Sequence, residues 1–244
     1  MKCIILAAGY ATRLYPLTQN FPKPLLTVCG KTIMDILIDD VQRSGVIDEY
    51  IVISNSRFYG HFIEWSKKRS ERITVLDDGT SSNETRLGAV RDIEFAINKL
   101  NLRDDALVMA GDNLLNFSLC TFIDYATSHG ESCVMRYFEP EKARLSKSGV
   151  LVLSDCDRVV KMQEKPAEPL SNWCCPPFYY FTRGAINRVS EALFDGCGAD
   201  APGSFIEWLC LRESVYAMEM PGRRYDIGNL ESYEKVQREY VPLF

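Results

Sequence analysis

Residues Lys2 to Val28 read KCIILAAGYATRLYPLTQNFPKPLLTV, and the fold turns on them. Cys3 to Ala8 is a short apolar run of the kind that fills a strand buried on both faces. Gly9 breaks it, and only small or aromatic residues precede Arg13. A strand that ends in a tight turn with outward N–H groups forms a cradle for anions. Arg13 adds a planar fork suited to phosphate, and Lys23 a second cation, held between Pro22 and Pro24. Taken alone, Gly9 reads equally well as an ordinary strand-end turn and Arg13 as a surface charge. The stretch matches neither GxxxxGK[ST] nor GxGxxG. Two cations and a backbone nest nonetheless suit a polyanion such as a nucleoside triphosphate.

The totals narrow the remaining choices. The chain has 244 residues, 46% hydrophobic and 25% charged, which is ordinary for one large α/β domain. A net charge of −5 argues against nucleic acid as a partner. No apolar run is long enough to span a bilayer, and Met1-Lys2 leads straight into a strand without a secretory h-region. Nine cysteines, an odd number without a CxxC pair, read as free thiols in a reducing cytoplasm. His61 and His129 stand far apart without ligand-type neighbours. Chemistry here rests on carboxylates, cations and metal.

Along the chain, strands alternate with helices. Thr32 can cap a helix with Ile33, Ile36, Leu37 and Val41 on one face, ending at Gly45. Tyr50–Ser54 and Arg72–Leu76 read as strands around a helix at Phe58–Arg69. This βαβ order predicts a parallel sheet whose ligands sit beyond the carboxyl ends of the strands. Asp77 to Glu84 is a polar loop, followed by a helix with Leu87, Val90, Ile93, Ile97 and Leu100 on its buried face. Asp105–Ala110 is a buried strand ending in Gly111-Asp112-Asn113. Asp112 is either a turn residue or, beside a triphosphate, a ligand for Mg²⁺. A helix is predicted at Phe117–Ser128 and a strand at Ser132–Phe138. Short β-runs at Gly149–Leu153 and Val159–Met162 then suggest antiparallel additions. Gly184–Phe194 and Ser204–Arg212 read as helices, Val215–Met220 as a strand, and Leu230–Tyr240 as a closing helix that Asp226 could cap.

LAAGYATRLYPLT with PKPLL resembles the signature of the sugar-1-phosphate nucleotidyltransferases, or nucleotide-sugar pyrophosphorylases. Further motifs are similar to theirs: Gly111-Asp112-Asn113, Ser148-Gly149-Val150, Glu164-Lys165-Pro166, Ser171-Asn172 with Tyr179-Tyr180, and Tyr225-Asp226-Ile227-Gly228. The resemblance runs from residue 2 to about residue 236. It departs at Ala11 and Pro177, where glycine is usual. A slightly different loop path is expected at Ala11, because alanine is strained at positive φ.

The resemblance implies one Rossmann-like α/β catalytic domain over 1–244, with a mostly parallel central sheet and a smaller antiparallel addition. The nucleotide half would cover about 1–130 and the acceptor half about 131–244, with no C-terminal β-helix. It implies transfer of a nucleoside monophosphate to a sugar 1-phosphate, with release of pyrophosphate. Arg13, Lys23 and Lys165 would be catalytic. Ala7, Ala8, Gly9, Thr12, Asn83 and Gly88 would face the nucleotide. Gly149, Glu164, Lys165, Asn172 and Tyr179 would face the acceptor, and Asp112 and Asp226 would hold Mg²⁺. No general base is required, since the attacking phosphate is already an anion.

Two other readings stand beside this one. A cytidylyltransferase for phosphocholine or a phosphonate could use Trp173, Phe178, Tyr179 and Tyr180 in cation–π contact with an amine. A non-catalytic relative would be expected to lack one of Arg13, Lys23, Asp112, Lys165 and Asp226, and all five are present. The sequence leaves room for a homo-oligomer and names neither base nor sugar.

Overall fold

Cys3, Ile4 and Ile5 are completely buried in the first strand, Lys2–Leu6, which explains its unbroken apolar run. In the computed structural model, which describes residues 1–243, this strand pairs in parallel with Glu49–Ser54, Cys3 opposite Tyr50 and Leu6 opposite Ile53. Glu49–Ser54 pairs in parallel with Ile73–Asp77. The helices Ile33–Gln42 and Tyr59–Ser66 join these strands. The first helix opens on a reciprocal cap: Thr32 Oγ1 accepts from Asp35 N at 3.0 Å, and Asp35 Oδ2 from Thr32 N at 3.3 Å.

Two compact units share the chain in interleaved segments. The first comprises Met1–Arg86, Ala110–Thr121 and Pro221–Phe244, and the second Leu87–Met109 and Phe122–Met220. Besides the parallel strands, the first unit contains the antiparallel pair Asn113–Leu115 and Arg224–Asp226, with Asp226 opposite Asn113. It also contains the hairpin Thr27–Val28 and Lys31–Thr32. The last helix, Leu230–Glu239, is tied to that hairpin by Tyr233 Oη, which donates to Thr27 O at 2.8 Å. Its cap is Asn229, not Asp226: Asn229 Oδ1 accepts from Ser232 N, and Ser232 Oγ accepts in return from Asn229 N. The amide side chain stands one residue before the helix, where the reciprocal geometry closes.

The second unit is mainly antiparallel, with strands in the order Val159–Glu164, Gly149–Leu153, Trp173–Cys175, Ser132–Phe138, Phe178–Phe181 and Ala106–Ala110. Val215–Glu219 joins Ser132–Phe138 in parallel. Helix Ala89–Leu100 buries Val90, Ile93, Ala96 and Ile97, close to the face read from the sequence. The α/β class with added antiparallel strands is therefore observed.

Two helix boundaries differ from expectation for local reasons. The helix expected from Phe117 starts at Cys120. Buried Asp40 draws the chain before it out of helical geometry, accepting from Ser118 Oγ at 2.6 Å and Leu119 N at 2.7 Å. The single helix expected over Gly184–Phe194 is two, Arg183–Ile186 and Val189–Phe194. Asn187 Nδ2 donates to Arg183 O at 2.7 Å and closes the first of them. No described helix is long and apolar enough to cross a membrane.

Candidate active site

In the first unit, the loop after Lys2–Leu6 is held at several points. Ala7 N donates to Ile53 O at 2.9 Å. Asn55, with no exposed surface, donates from Nδ2 to Ala8 O at 2.8 Å, and its Oδ1 accepts from Phe58 N at 3.0 Å. The buried Tyr10 hydroxyl lies 3.3 Å from Thr80 Oγ1. Gly9 is exposed, and a side chain there would meet only open space. The loop therefore has fixed ends and an open crest, as an anion cradle requires.

Ala11 differs from expectation. It adopts φ 46° and ψ 42°, the left-handed conformation that favours glycine, so the loop does not avoid positive φ. Its carbonyl is held by Leu14 N at 2.9 Å and by the buried Thr18 hydroxyl at 2.8 Å. Surrounding bonds thus stabilise a conformation that alanine alone disfavours. Thr12 and Arg13 follow, both exposed, and Arg13 has no ion-pair partner among the described residues.

Lys23 opens a short 3₁₀ turn, Lys23–Leu25, and is buried. Its Nζ lies 2.8 Å from Asp112 Oδ2, with the lysine side chain 8% exposed and the aspartate 36%. Asp112 Oδ1 accepts from Asn113 Nδ2 at 2.6 Å, and Asn113 Oδ1 from Arg224 Nη1 at 2.6 Å. Arg224 Nη2 stands 4.0 Å from Asp226 Oδ2. Gly111 N donates to Leu6 O at 3.0 Å, which fixes this strand end against the first strand. The structure thus gathers Lys23, Asp112 and Asp226 into one polar network, and no hydrogen bond or ion pair joins Arg13 to it.

Two carboxylates, Asp112 in the turn just before Asn113–Leu115 and Asp226 at the end of the strand paired with it, are hard oxygen donors. Mg²⁺ commonly takes one or two carboxylates and completes its shell with water and substrate phosphate, so this pair fits it. No group of three or more His, Cys, Asp or Glu side chains forms a metal cluster among the described residues.

The polar loop beyond Ile73–Asp77 begins with two Asx-type turns. Asp77 Oδ1 accepts from Gly79 N at 2.8 Å, and Asp78 Oδ1 from Thr80 N at 2.7 Å. Burial raises the Asp78 carboxyl above its ordinary range, and its bonds from Thr80 offset part of that. Asn83 is half-buried, and its carbonyl accepts from Arg86 Nη1 at 3.0 Å.

In the second unit, Gly88 precedes helix Ala89–Leu100 at φ +93°. A Cβ there would lie 2.6 Å from Ala199 O. Ala89 N and Val90 N donate to Asp200 O at 3.2 Å and Ala199 O at 2.9 Å. Glycine is required at position 88 by this close backbone approach. Gly149 faces Glu164 across the antiparallel ladder, at the end of Val159–Glu164. Lys165 follows with φ 48°, its N donating to Ser148 O at 3.1 Å and its side chain exposed. A lysine held in left-handed backbone is a strained position of the kind found at ligand sites.

Asn172 is committed: its Nδ2 donates to Glu139 O at 2.8 Å, and Glu139 N donates to Asn172 O at 2.9 Å. At Pro177 the chain offers no amide donor, and Phe178 N is spent on Pro176 O at 2.8 Å. Phe178, Tyr179 and Tyr180 are buried strand residues, with Tyr179 stacked on Phe181 at 5.9 Å. The Trp173 ring is already covered by the Arg136 guanidinium, 4.4 Å from its centroid. These four aromatics form no open cage for an amine.

Sequence reasoning passed over Asn55, Thr18 and Gly203. A polar residue directly after the buried strand Glu49–Ser54 was a usable signal for Asn55. Thr18 lay within the quoted motif, and nothing local marked Gly203.

The family model described as nucleotidyl transferase matches residues 2–241. A protein of Sulfolobus acidocaldarius provisionally named a mannose-1-phosphate guanyltransferase is 29% identical over 248 residues, covering 100% of this chain and 64% of its own length. A glucose-1-phosphate adenylyltransferase of Fervidobacterium nodosum is 25% identical over 98% of this chain and 60% of its own. The chain thus spans less than two thirds of the curated relatives it matches. The structure of a UDP-glucose pyrophosphorylase complexed with UDP-glucose shares the fold, with TM-score 0.83, 19% identity, and coverage of 98% of this chain and 97% of that one. With a family model spanning nearly all its residues and a fold to match, this chain belongs to the nucleotidyl transferase family.

Proposed function

We propose that the chain transfers a nucleoside monophosphate from a nucleoside triphosphate to a sugar 1-phosphate, releasing pyrophosphate. The Lys23–Asp112 pair carries this reading. An ammonium and a carboxylate, fixed beside an open backbone loop, hold each other where a phosphate and a cation would otherwise bind. On substrate binding, Lys23 turns to a phosphate oxygen. Asp112 and Asp226 would hold Mg²⁺, which supplies neutralisation of phosphate charge when bound.

A sugar-phosphate oxygen attacks the α-phosphorus in line, and the bond from the α-phosphorus to the bridging oxygen breaks. The electron pair leaves with pyrophosphate. Arg13, exposed and without an ion-pair partner, stabilises that leaving group, and Lys165 holds the acceptor phosphate. Alignment and charge neutralisation are the protein's main contributions to such a transfer. Ala7, Ala8, Gly9 and Thr12 cradle the triphosphate, and Asn83 and Gly88 lie by the base. Gly149, Glu164, Asn172 and Tyr179 serve the sugar, Glu164 by accepting from a hydroxyl. The relatives named for guanylyl and adenylyl transfer support the reaction class and differ in both base and sugar. Nine free thiols support a reducing, cytoplasmic setting.

The test is pyrophosphate release with Mg²⁺ across nucleoside triphosphates and a panel of sugar 1-phosphates, with phosphocholine and 2-aminoethylphosphonate as further arms. Release with a sugar phosphate is expected. Release with only an amine-bearing acceptor, or none while triphosphate still binds, would overturn the reading.

A further inference from the structure

Glu164 closes the strand Val159–Glu164 with its carboxylate between two glycines from different elements. On one side is Gly149, its partner in the ladder, where a Cβ would stand 3.2 Å from Glu164 Oε2. On the other is Gly203, the first residue of helix Gly203–Leu209, where a Cβ would overlap both Glu164 Oε2 and Met162 Cε. The carboxylate makes no hydrogen bond among the described residues. Burial raises its pKa, Lys165 opposes that, and Glu207 and Asp200 add to it. A half-buried acceptor without a donor is costly unless a ligand supplies one.

The chain before Gly203 has little freedom to move. The carbonyls of Ala199 and Asp200 accept from the first two amides of helix Ala89–Leu100, and the bare Gly88 lies against Ala199. Following it, Trp208 Nε1 donates to Asp195 Oδ2 at 3.0 Å. With its backbone held on both sides, Gly203 sets how much room the Glu164 carboxylate has.

From this packing we infer that Gly203 is a positioning residue for the acceptor: its missing side chain lets the Glu164 carboxylate lie against the helix start, where it accepts from an acceptor hydroxyl. This rests on the proposed reaction and deepens it, because the acceptor is then one that brings a hydroxyl donor to a recessed carboxylate.

Gly203→Ala tests it. Both overlapped atoms are the free ends of flexible side chains, and Gly203 is not at positive φ, so the fold is retained. The expected result is an acceptor KM raised on the order of tenfold or more, as a misplaced contact produces, with triphosphate affinity and urea midpoint unchanged. Glu164→Asp in the Gly203→Ala background withdraws the carboxylate by one methylene and should recover part of the loss. A readout without substrate is the ¹³C titration of the Glu164 carboxyl, which should move in Gly203→Ala. If the wild type turns over no sugar phosphate, the proposed reaction fails while this titration still decides whether Gly203 positions Glu164. An unmoved titration, an unchanged acceptor KM, or a KM rise matched by weakened triphosphate binding and a lowered urea midpoint would overturn the inference.

Discussion

Lys23 and Asp112 form an ion pair with 2.8 Å between Nζ and Oδ2, and its two members are unequally buried. The ammonium is almost enclosed, whereas the carboxylate is about one-third exposed. Removing either partner therefore has different consequences for stability.

Asp112→Asn leaves a buried ammonium without its counter-charge, and Lys23→Met leaves a carboxylate that water can reach. Breaking a fully buried pair costs about 3–5 kcal/mol and an exposed pair about 1 kcal/mol or less. For this half-open pair we expect about 1–3 kcal/mol from Asp112→Asn and less from Lys23→Met, read from urea midpoints. Both should lower Mg²⁺-dependent pyrophosphate release by about a hundredfold or more. Equal stability losses, or turnover retained in Asp112→Asn, would contradict the roles assigned to this pair.

Ala11→Gly should stabilise the protein slightly. A left-handed conformation costs an L-residue about 1–2 kcal/mol, and glycine's extra freedom in the unfolded chain returns about 0.4–1 kcal/mol of that. The expected net gain is about 1 kcal/mol or less, seen as a raised urea midpoint with an unchanged slope. A lowered midpoint would mean that the loop carries no strain at this position.

Asn55→Ala removes the interior partner of Ala8 O, while Phe58 N loses the side-chain oxygen but keeps the backbone carbonyl of residue 55. Each buried group left unsatisfied costs about 1–3 kcal/mol. Because Ala8 O belongs to the loop assigned to the triphosphate, that affinity should fall while the acceptor KM stays put. Calorimetric titration of triphosphate into the variant checks this, and undiminished affinity would show that the loop is fixed elsewhere.

Glu164 gives a pH signature. Its folded pKa lies above the ordinary value because burial outweighs the pull of Lys165. The folded chain thus holds this proton more tightly than the unfolded one. The resulting stability is complete below the ordinary carboxylate pKa and is lost as pH rises through the raised value. Glu164→Gln cannot ionise, so its stability relative to wild type should improve as pH rises from about 4.5 to neutral, measured by urea unfolding at several pH values. Asp40 and Asp78 shift in the same direction in both proteins and cancel in the comparison. Parallel pH profiles would refute the assignment.

What could be read from sequence was what neighbours in the chain decide. The apolar run from Cys3 announced a buried strand, and Thr32 the cap of the helix that starts at Ile33. Long-range partners left no such trace. Nothing near Phe117 reveals that Asp40 delays the helix to Cys120. Nothing near Gly203 reveals the carboxylate of Glu164. Position 226 seemed able to serve as both ligand and cap, and Asn229 took the cap because a capping box needs its side chain one residue before the helix. The interleaving of the two units likewise follows from which strands find each other, and local composition does not encode that.

The bond from the Thr18 hydroxyl to the Ala11 carbonyl makes the effects of substitutions depend on their order. While alanine occupies position 11, losing that hydroxyl removes a brace from a reluctant backbone and should be poorly tolerated. Once glycine is there, the turn persists on its own, and position 18 is free to accept other residues. A lineage or selection experiment would therefore be expected to change residue 11 first, and to find variety at residue 18 only afterwards.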